Sequence, residues 1–473
     1  MLWGDTVVLW LLTPLAWWLL INGIDDLLVD FAYFGIRLRD RFRTPPPPRP
    51  PLPRQPRIAL MIPCWREAPV IRKMIERNLW EIDYRAYDVW VGVYPNDPQS
   101  MLEIEQCSDP RVHYLVNLRN GPTTKADCLN QLLRGIVQHE GLTGERYDLF
   151  IHHDAEDVIH PREFAEAARL SQDYDMIQFP VLALQTPFWN FTHGMYCDEF
   201  AEAHQRDLLV RSRVGGFIPS AGVGTAYSRE VLNWLRISSG EEIFDPRSLT
   251  EDYFLGLTTY TLGFRQAFPT VTDASGLVAT RAFFPRNAVA AARQRTRWLI
   301  GNILQSWQKF GWNVGAGQGY WLWRDRKGLI SHPVSLLSNG VFIYGLWRLI
   351  QAKASGSPWL LGDAIVADRT LLLLVALNAG LLFWRQLLKV YFTARVYGLA
   401  YGLTAPARTP WANLINFAAV LRAVWIFGKA WGLKRPLQWA KTSHRFPTDE
   451  EAPSRRPRPQ AVPPSPGPLR KAG

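Results

Sequence analysis

The chain has 473 residues, of which 48% are hydrophobic, a composition that argues against wholesale disorder and allows one large core or two smaller ones. Its 53 lysines and arginines exceed its 42 aspartates and glutamates, giving a net charge of +11. The basic residues cluster beside apolar segments and in the C-terminal tail, so we attribute the charge to membrane phosphates and expect no nucleic-acid partner. Four scattered cysteines argue against a disulfide framework or a thiolate zinc site.

The N-terminus predicts a membrane anchor over residues 1–43. Residues 6–24 carry no charge, which is about the length that crosses a hydrocarbon core, and four arginines follow within residues 37–43. Basic flanks remain in the cytoplasm, so the N-terminus is expected outside. Asp5 stands where a signal peptide would carry a basic residue, which favours an uncleaved anchor. Residues 44–56 predict a proline-rich linker of polyproline character.

Residues 57–326 predict a soluble α/β domain. Short runs rich in β-branched residues alternate there with helix-like stretches, as expected where helices pack on a sheet. The predicted strands lie at 58–62, 89–93, 112–116, 149–152 and 176–180.

Residues 327–395 predict a transmembrane hairpin. Residues 329–347 are uncharged, and 370–384 form a shorter apolar run that lengthens if Arg385 snorkels. Basic residues after the second run return the chain to the cytoplasm. Together with the anchor, the hairpin gives three crossings.

Residues 396–447 predict an interfacial helix and a cytoplasmic segment. The apolar run at 411–428 is interrupted by Arg422 and has basic residues on both sides, which favours a helix at the membrane surface over a fourth crossing. Residues 448–473 are rich in proline and charge and predict a disordered tail.

Three acidic residues, Asp154, Glu156 and Asp157, follow the predicted strand at 149–152. Open α/β sheets bind ligands at the carboxyl ends of their strands, and carboxylates there can hold a divalent cation against a diphosphate. On an extended chain Asp154 and Glu156 point the same way, so both could reach one ion. A solvated acidic turn is the competing interpretation.

Asp252, in the sequence Thr250-Glu251-Asp252, is the candidate general base. When a hydroxyl group displaces a leaving group, a carboxylate on the face opposite the leaving group must accept the proton of that hydroxyl. Thr250 followed by acidic residues also predicts the start of a helix, and both interpretations can hold together.

Gln294, Arg297 and Trp298 fall on one side of a predicted helix, at three- and four-residue spacing. An amide, a permanent cation and a flat aromatic ring together suit a diphosphate and a sugar. An ordinary helix surface is the competing interpretation.

The order of these motifs resembles that of family 2 glycosyltransferases, the inverting GT-A class that includes cellulose and hyaluronan synthases. That family carries an Asp-x-Asp-like site, a Thr/Glu-Glu-Asp and a Gln-x-x-Arg-Trp, and the resemblance covers about residues 57–326. The stretches that further resemble the phage adsorption protein B (NfrB-type) branch lie at 62–67, 125–130, 153–157, 410–413 and 439–442 with His444. The resemblance implies an α/β fold, with a GT-A (Rossmann-like) catalytic domain fused to transmembrane and interfacial helices.

The resemblance also implies roles for individual residues. Asp154 and Glu156 would bind Mg²⁺ or Mn²⁺, with Asp157 as an alternative second ligand because the synthases have Asp-x-Asp. Asp252 would be the base, beside Glu251. The residues implied to face the nucleotide and its diphosphate are Glu67, Asn96 or Asp97, Lys125, Gln294 and Arg297. Those implied to face the acceptor are Trp298, Gly222 and Gly224.

The implied activity is that of an inverting, metal-dependent hexosyltransferase that uses a nucleotide-sugar donor, expected to be UDP-linked, and extends an exopolysaccharide. The chain would lie in the bacterial inner membrane with its catalytic domain in the cytoplasm. The expected partners are a polysaccharide or lipid-linked acceptor, membrane lipids and an outer-membrane or periplasmic export protein. Single transfer to polyprenyl phosphate is one alternative, and a non-catalytic role in an envelope secretion or phage-receptor complex is another.

Members of the NfrB-type branch continue into a C-terminal domain that senses cyclic di-GMP. In this chain a basic, proline-rich tail follows instead. We therefore expect that regulation by this nucleotide is missing or resides in a partner.

Overall fold

The computed structural model describes residues 3–44, 54–240, 242–274, 276–312, 314–434, 437, 445–448 and 451–452. Most of the proline-rich linker predicted at 44–56 lies outside the described residues. The same holds for nearly all of the tail predicted at 448–473 and for the stretch at 439–444 that resembles the NfrB-type branch.

The helices begin with a long N-terminal helix and end with several long apolar ones. The first group is α1 (Trp3–Phe42), α2 (Ile71–Glu81), α3 (Pro98–Glu105), α4 (Lys125–Thr143), α5 (Glu163–Leu170), α6 (Phe191–Glu202), α7 (Leu208–Arg213), α8 (Arg229–Ser239), α9 (Glu251–Thr261), α10 (Ala288–Trp298), α11 (Ser306–Phe310) and α12 (Ala316–Arg326). The second group is α13 (Gly328–Ser355), α14 (Leu360–Ala367), α15 (Arg369–Tyr397), α16 (Leu399–Leu403) and α17 (Ala405–Gly432). Among the described residues, π-helical segments at Ala203–Asp207 and Leu299–Gln305 continue α6 and α10.

The described strands form one large mixed sheet and two small ones. They are β1 (Ile58–Pro63), β2 (Tyr87–Val93), β3 (Val112–Val116), β4 (Leu149–His152), β5 (Met176–Gln178), β6 (Val181–Ala183), β7 (Thr225–Ser228), β8 (Gln266–Ala267), β9 (Thr272–Asp273), β10 (Gly276–Leu277) and β11 (Thr280–Ala282). The large sheet has the order β3-β2-β1-β4-β7-β5-β8, and β7 runs antiparallel to both of its neighbours. β6 pairs with β11, and β9 pairs with β10. Each predicted strand coincides with a strand of the large sheet, so the predicted α/β fold is confirmed, while the domain bounds 57–326 stay a prediction.

Apolar strands place the core on both faces of this sheet. β2 and β4 are buried throughout, and β1 is buried except for its last residue, as expected for parallel strands covered by helices on both sides. One face packs against α2 and α5, including Ile71 and Phe164, and the other against α4 and α8, including Leu129 and Val231. β1 and β4 are parallel neighbours, so the loops that follow them open at the same edge of the sheet.

Four helices of the described part of the chain, α1, α13, α15 and α17, are long and apolar enough to cross a membrane. With 40 residues, α1 is about 60 Å long at ~1.5 Å per residue, roughly twice the thickness of a hydrocarbon core. The helix is therefore long enough to cross a membrane with its second half outside the lipid core.

Buried polar contacts join this second half of α1 to the α/β domain. Asp30 Oδ1 lies 2.5 Å from Arg206 Nη1, and both side chains are almost fully buried. Asp25 accepts hydrogen bonds from Tyr320 at 2.7 Å and from Lys327 at 2.6 Å. The N-terminal helix is thus fixed to the domain by specific pairs.

α17 packs along the α/β domain over most of its length. Near its start, Arg408 donates to Asp198 of α6 at 2.8 Å. Further along, Thr296 of α10 donates to the carbonyl of Ala419 at 3.4 Å. Ala423 belongs to a small apolar cluster with residues of the second π-helical segment. About two thirds of α17 therefore packs one of its sides against the α/β domain.

The exposed side of α17 is mainly apolar, although Arg422 and Lys429 are also exposed. Leu414, Leu421 and Trp425 are 45%, 54% and 70% exposed. One face on a soluble domain and an apolar face turned outward suit a helix at the membrane surface, while length and composition also permit a crossing. The interfacial helix stays a prediction.

Leu433→Cys, just beyond α17, distinguishes the two arrangements. If α17 is interfacial, residue 433 lies on the same side of the membrane as the α/β domain. In membrane vesicles of defined orientation, we then expect a membrane-impermeant maleimide to label Leu433→Cys and Leu118→Cys, an exposed position of the domain, from the same face. Labelling from opposite faces, after subtraction of the wild-type signal, would demonstrate a fourth crossing.

Candidate active site

A cavity of about 550 Å³ lies where β1 and β4 end. It is bordered by predicted site residues from loops and helices that are far apart in sequence. These are Glu67, Lys125, Asp154, Glu156, Asp157, Glu251, Asp252, Gln294, Arg297 and Trp298. The three sequence motifs therefore line one shared space.

The acidic residues after β4 form a turn. The amide of Asp157 donates to the carbonyl of Asp154 at 3.2 Å, so the expectation of an extended chain here is wrong. Asp154 and Glu156 nevertheless both border the cavity. The Asp157 carboxylate also serves the turn, because its Oδ2 accepts from the Asp154 amide at 2.9 Å and lies 3.0 Å from Nδ1 of His153.

His153 is held between two buried carboxylates. Its Nδ1 faces Asp157, and its Nε2 lies 2.8 Å from Oε1 of Glu163. All three side chains are at most 2% exposed. Burial by itself lowers the pKa of His153, but Glu163 and Asp157 outweigh it and raise the pKa to about 9. The charged ring therefore ties the acidic turn to α5.

His153→Ala is expected to destabilise the protein by about 3–5 kcal/mol, because it leaves two buried carboxylates without their shared partner. Thermal unfolding of the purified protein in detergent measures this loss. His139→Ala, a half-buried histidine that packs edge-on against Trp90, is the matched control and is expected to lose less. Equal losses in the two variants would contradict the role of His153 as a charged clamp.

Lys125, the first residue of α4, lies among the carboxylates of the cavity. Its Nζ is 2.6 Å from Oδ1 of Asp154 and donates to the carbonyl of Gly222 at 2.9 Å. Burial opposes its charge, but attraction to Asp154, Glu251 and Asp252 raises its pKa well above the ordinary value. A permanent cation at a helix N-terminus favours an anion such as a diphosphate.

Glu251 and Asp252 are the first two residues of α9, and both border the cavity. Burial, opposed by Lys125, raises the pKa of Asp252. Burial and the neighbouring Asp252 raise the pKa of Glu251 to about 7. Both carboxyl groups are thus stronger proton acceptors than exposed ones. Thr250 occupies the N-cap position, as predicted, although its hydroxyl makes no capping hydrogen bond.

The turn at residues 220–224 lies against Asp252. Gly222 and Gly224 have φ values of 77° and 60°, in the left-handed region that favours glycine. A Cβ on Gly222 would collide with the Asp252 carboxylate, and one on Gly224 would collide with the Thr280 hydroxyl. The glycines therefore keep the backbone close to the carboxylate.

Gln294, Arg297 and Trp298 share one side of α10 and all border the cavity, as their spacing predicts. The charge of Arg297 acts on both Glu251 and Asp252 and lowers their pKa values in opposition to burial. The Gln294 Oε1 is buried and has no hydrogen-bond partner among the described residues. This oxygen is available to a ligand.

Asn96 and Asp97 lie outside the residues that border the cavity. Asn96 exchanges two hydrogen bonds, of 2.7 and 2.8 Å, with the backbone of Gly121. Asp97 accepts from the amide of Arg66 at 2.6 Å. Both side chains thus hold loops in place, and the direct contact with a nucleoside that the resemblance implies stays a prediction.

Several residues that border the cavity were not among the predicted site residues. One group contains Trp65, Tyr94 and Thr123, where the Tyr94 hydroxyl lies 2.7 Å from that of Thr123 and its ring packs edge-on against Trp65. A second group comes from α6, the β11–α10 loop, α13 and α17 and comprises Glu199, Phe200, Phe284, His332 and Asn416. These residues are brought together only by the tertiary fold, so no local spacing rule identifies them.

The charge of the cavity suits a divalent cation. Among the described residues that border it, eight are acidic, whereas three are lysine or arginine, namely Lys125, Arg295 and Arg297. The described residues contain no group of three or more His, Cys, Asp or Glu side chains arranged to hold a metal. Mg²⁺ is commonly held by one or two protein carboxylates, with substrate phosphates and water completing its shell. Asp154 and Glu156 are two carboxylates of the kind that such a site requires.

Known proteins match this chain over most of its length. Residues 56–301 match the family model described as glycosyltransferase like family 2. Bacteriophage adsorption protein B of Escherichia coli K12 and bacteriophage N4 adsorption protein B of Escherichia coli O157:H7 are each 36% identical to the chain over 478 aligned residues. The alignments cover 93% of this chain and 64% of each relative, so the chain spans about two thirds of their length. The resemblance to this branch is confirmed.

Solved structures give partial superpositions. The mannosyltransferase PcManGT from Pyrobaculum calidifontis, in complex with GDP-Man and Mn²⁺, is 16% identical with a TM-score of 0.46, covering 83% of this chain and 99% of that one. Residues 1–349 of S. aureus TarS, in complex with UDP-GlcNAc, are 11% identical with a TM-score of 0.36, covering 64% of this chain and 92% of that one. The assignment of the fold rests on the sheet and the family match.

Proposed function

Because the chain belongs to the family 2 glycosyltransferases, we propose that it transfers a sugar from a nucleotide-sugar donor, with inversion, to a growing exopolysaccharide. One observation carries the proposal. A single cavity gathers a permanent cation, a half-buried carboxylate with a raised pKa and an aromatic ring, contributed by Lys125, Asp252 and Trp298. These are the groups that a diphosphate, a reacting hydroxyl and a sugar ring each require.

Asp252 acts as the general base in this proposal. Burial makes its carboxylate a better proton acceptor than an exposed one. It takes the proton of the acceptor hydroxyl while that oxygen attacks the anomeric carbon from the face opposite the diphosphate, which inverts the configuration. Glu251, adjacent at the start of α9, helps to hold the acceptor.

Lys125 and Arg297 stabilise the negative charge that develops on the leaving nucleoside diphosphate. Gln294 offers the sugar nucleotide its amide oxygen, which has no hydrogen-bond partner within the described part of the chain. Glu67 and Trp65 also border the cavity. We assign Asn96 and Asp97 an indirect role, because both hold loops by backbone contacts. The donor is proposed to be UDP-linked.

Asp154 and Glu156 would hold Mg²⁺ or Mn²⁺. When bound, such an ion supplies positive charge to the diphosphate as it leaves. Asp157 is assigned to the shape of the turn, because its carboxylate is already engaged by His153 and by the Asp154 amide.

The proposed location is the bacterial inner membrane, with several crossings and the catalytic domain in the cytoplasm. The basic residues after the first apolar run support this orientation. An export protein of the periplasm or outer membrane is the proposed partner for the product.

A lipid-linked acceptor such as polyprenyl phosphate is the second candidate. It is favoured by the contact between the cavity and α13, since Gly328 and His332 of this candidate membrane helix border it. The third candidate is a non-catalytic role in an envelope secretion or phage-receptor complex, and the relatives are named for bacteriophage adsorption.

Release of nucleoside diphosphate by the purified protein tests these candidates. With a panel of sugar nucleotides and Mg²⁺ or Mn²⁺, we expect release from one UDP-sugar and a polysaccharide product. A product that extracts into organic solvent would favour the lipid acceptor. A chain that releases nothing from any donor would be assigned the non-catalytic role.

A further inference from the structure

One wall of the cavity is built partly from candidate membrane helices. It carries Glu199 of α6, Arg295 of α10, His332 of α13 and Asn416 of α17. We call these four residues the membrane-side wall. None of them belongs to the groups assigned above to the donor or to proton transfer.

Arg295 and Glu199 form an ion pair in this wall. The Arg295 Nη2 donates to Glu199 Oε2, and its Nη1 donates to Asn416 Oδ1 at 2.8 Å. The Arg295 residue is 6% exposed, and its Nε is buried without a hydrogen-bond partner among the described residues. The Glu199 side chain is 50% exposed, so one half of the pair is open while the other is enclosed. A charged group as enclosed as Arg295 is costly to keep unless it is paired and hydrogen-bonded, and its contacts with Glu199 and Asn416 meet that need.

Aromatic rings stand beside this pair. The ring centroids of Phe200 and Phe284 lie 4.7 Å apart, and that of Trp298 is 6.2 and 6.4 Å from them. Asn302, which also borders the cavity, has a buried side-chain oxygen without a partner among the described residues. A sugar ring needs both features, since it has apolar faces and hydroxyl groups around its edge.

The charge of the wall distinguishes between acceptors. The charges of Glu199 and Arg295 cancel, so the pair offers no net attraction to an anion. A phosphate or a uronate would meet the open carboxylate of Glu199. Uncharged hydroxyl groups, in contrast, can donate to the open carboxylate of Glu199, while the enclosed Arg295 holds that carboxylate in place.

We propose that the membrane-side wall binds uncharged sugar units of the acceptor, with Glu199 and Arg295 selecting a neutral glycan. This inference rests on the proposed function and specifies its substrate class. The acceptor lies between the α/β domain and the membrane helices, and its terminal hydroxyl is presented to Asp252. His332 and Asn416 make helices α13 and α17 part of the binding site.

Glu199→Gln tests the proposal, because it removes the charge and keeps the size of the side chain. The rate of nucleoside diphosphate release is measured at saturating sugar nucleotide against rising concentrations of neutral tetrasaccharides of glucose, N-acetylglucosamine or mannose. For the tetrasaccharide that stimulates the wild type, we expect KM to rise about tenfold or more, as for the loss of a charged hydrogen bond. The KM of the sugar nucleotide is expected to change less.

Glu230→Gln, an exposed glutamate of α8, is the matched control and is expected to keep the wild-type KM values. His332→Gln provides a second variant, expected to raise the same tetrasaccharide KM, and gel filtration verifies the folding of each protein. An unchanged tetrasaccharide KM in the folded variants would overturn the inference. So would stimulation of the wild type by polyprenyl phosphate or a uronate tetrasaccharide but by no neutral tetrasaccharide. Failure of the wild type to use any donor would instead contradict the proposed function.

Discussion

Asp252→Asn is expected to lower the rate of sugar transfer by about 10²–10⁴-fold, the range that general-base catalysis contributes. The amide keeps the size of the carboxylate but cannot accept the proton of the attacking hydroxyl. Binding of the sugar nucleotide depends mainly on Lys125 and Arg297 in the proposed site, so its KM is expected to change little. The measurement is kcat for nucleoside diphosphate release in the presence of acceptor.

Asp245→Asn is the matched control for this variant. Asp245 lies in the loop before α9, where its carboxylate contacts Arg247 and Lys309 outside the cavity. It is expected to keep nearly the wild-type rate. If Asp252→Asn retained that rate as well, the base would have to be another group, and Glu251, with its pKa raised to about 7, would be tested next.

The strands could be predicted because the physics that forms them is local. β1 and β4 are short apolar runs, and a parallel strand buried on both faces needs little else. Helical spacing was equally informative for Gln294, Arg297 and Trp298, which share one side of α10. Their approach to Asp252 required the family resemblance, because the two segments are far apart in sequence.

The acidic turn shows where a local rule fails. The alternation of side chains that places Asp154 and Glu156 on one side applies to an extended backbone. Here the Asp157 amide and carboxylate close a turn, and His153 with Glu163 fixes it from the interior. Glu163 lies ten positions after His153 in the sequence, and their contact depends on the burial of both charged side chains. A short motif reveals neither of these facts.

The membrane-side wall could not be predicted at all. Glu199, Arg295, His332 and Asn416 come from four helices that only the tertiary fold brings together. Arg295 even lies within the Gln294–Trp298 motif, but its side chain faces α17 and α6. Burial of a charge follows from the neighbours it meets, so the sequence around Arg295 does not distinguish it from an exposed arginine.

Asp154→Asn is expected to reduce transfer about 100-fold or more at a fixed Mn²⁺ concentration, since a bound cation is worth several kcal/mol to the leaving diphosphate. The variant removes one of the two carboxylates assigned to the ion and the partner 2.6 Å from Lys125. Added Mn²⁺ should restore part of the rate, so the concentration giving half the maximal rate should rise. Rates measured over a range of Mn²⁺ concentrations, after treatment with a chelator, give this value.

Glu145→Gln is the matched control. Glu145 lies before the first residue of β4, at the end of the strand away from the acidic turn, and pairs there with Arg57. Its Mn²⁺ dependence is expected to equal that of the wild type. Glu156→Gln should shift the dependence in the same direction as Asp154→Asn, whereas Asp157→Asn should act mainly on stability, because that carboxylate is bound to His153. Full activity of the chelated wild type would remove the cation from the proposal, and the acidic turn would then serve only to hold Lys125 in position.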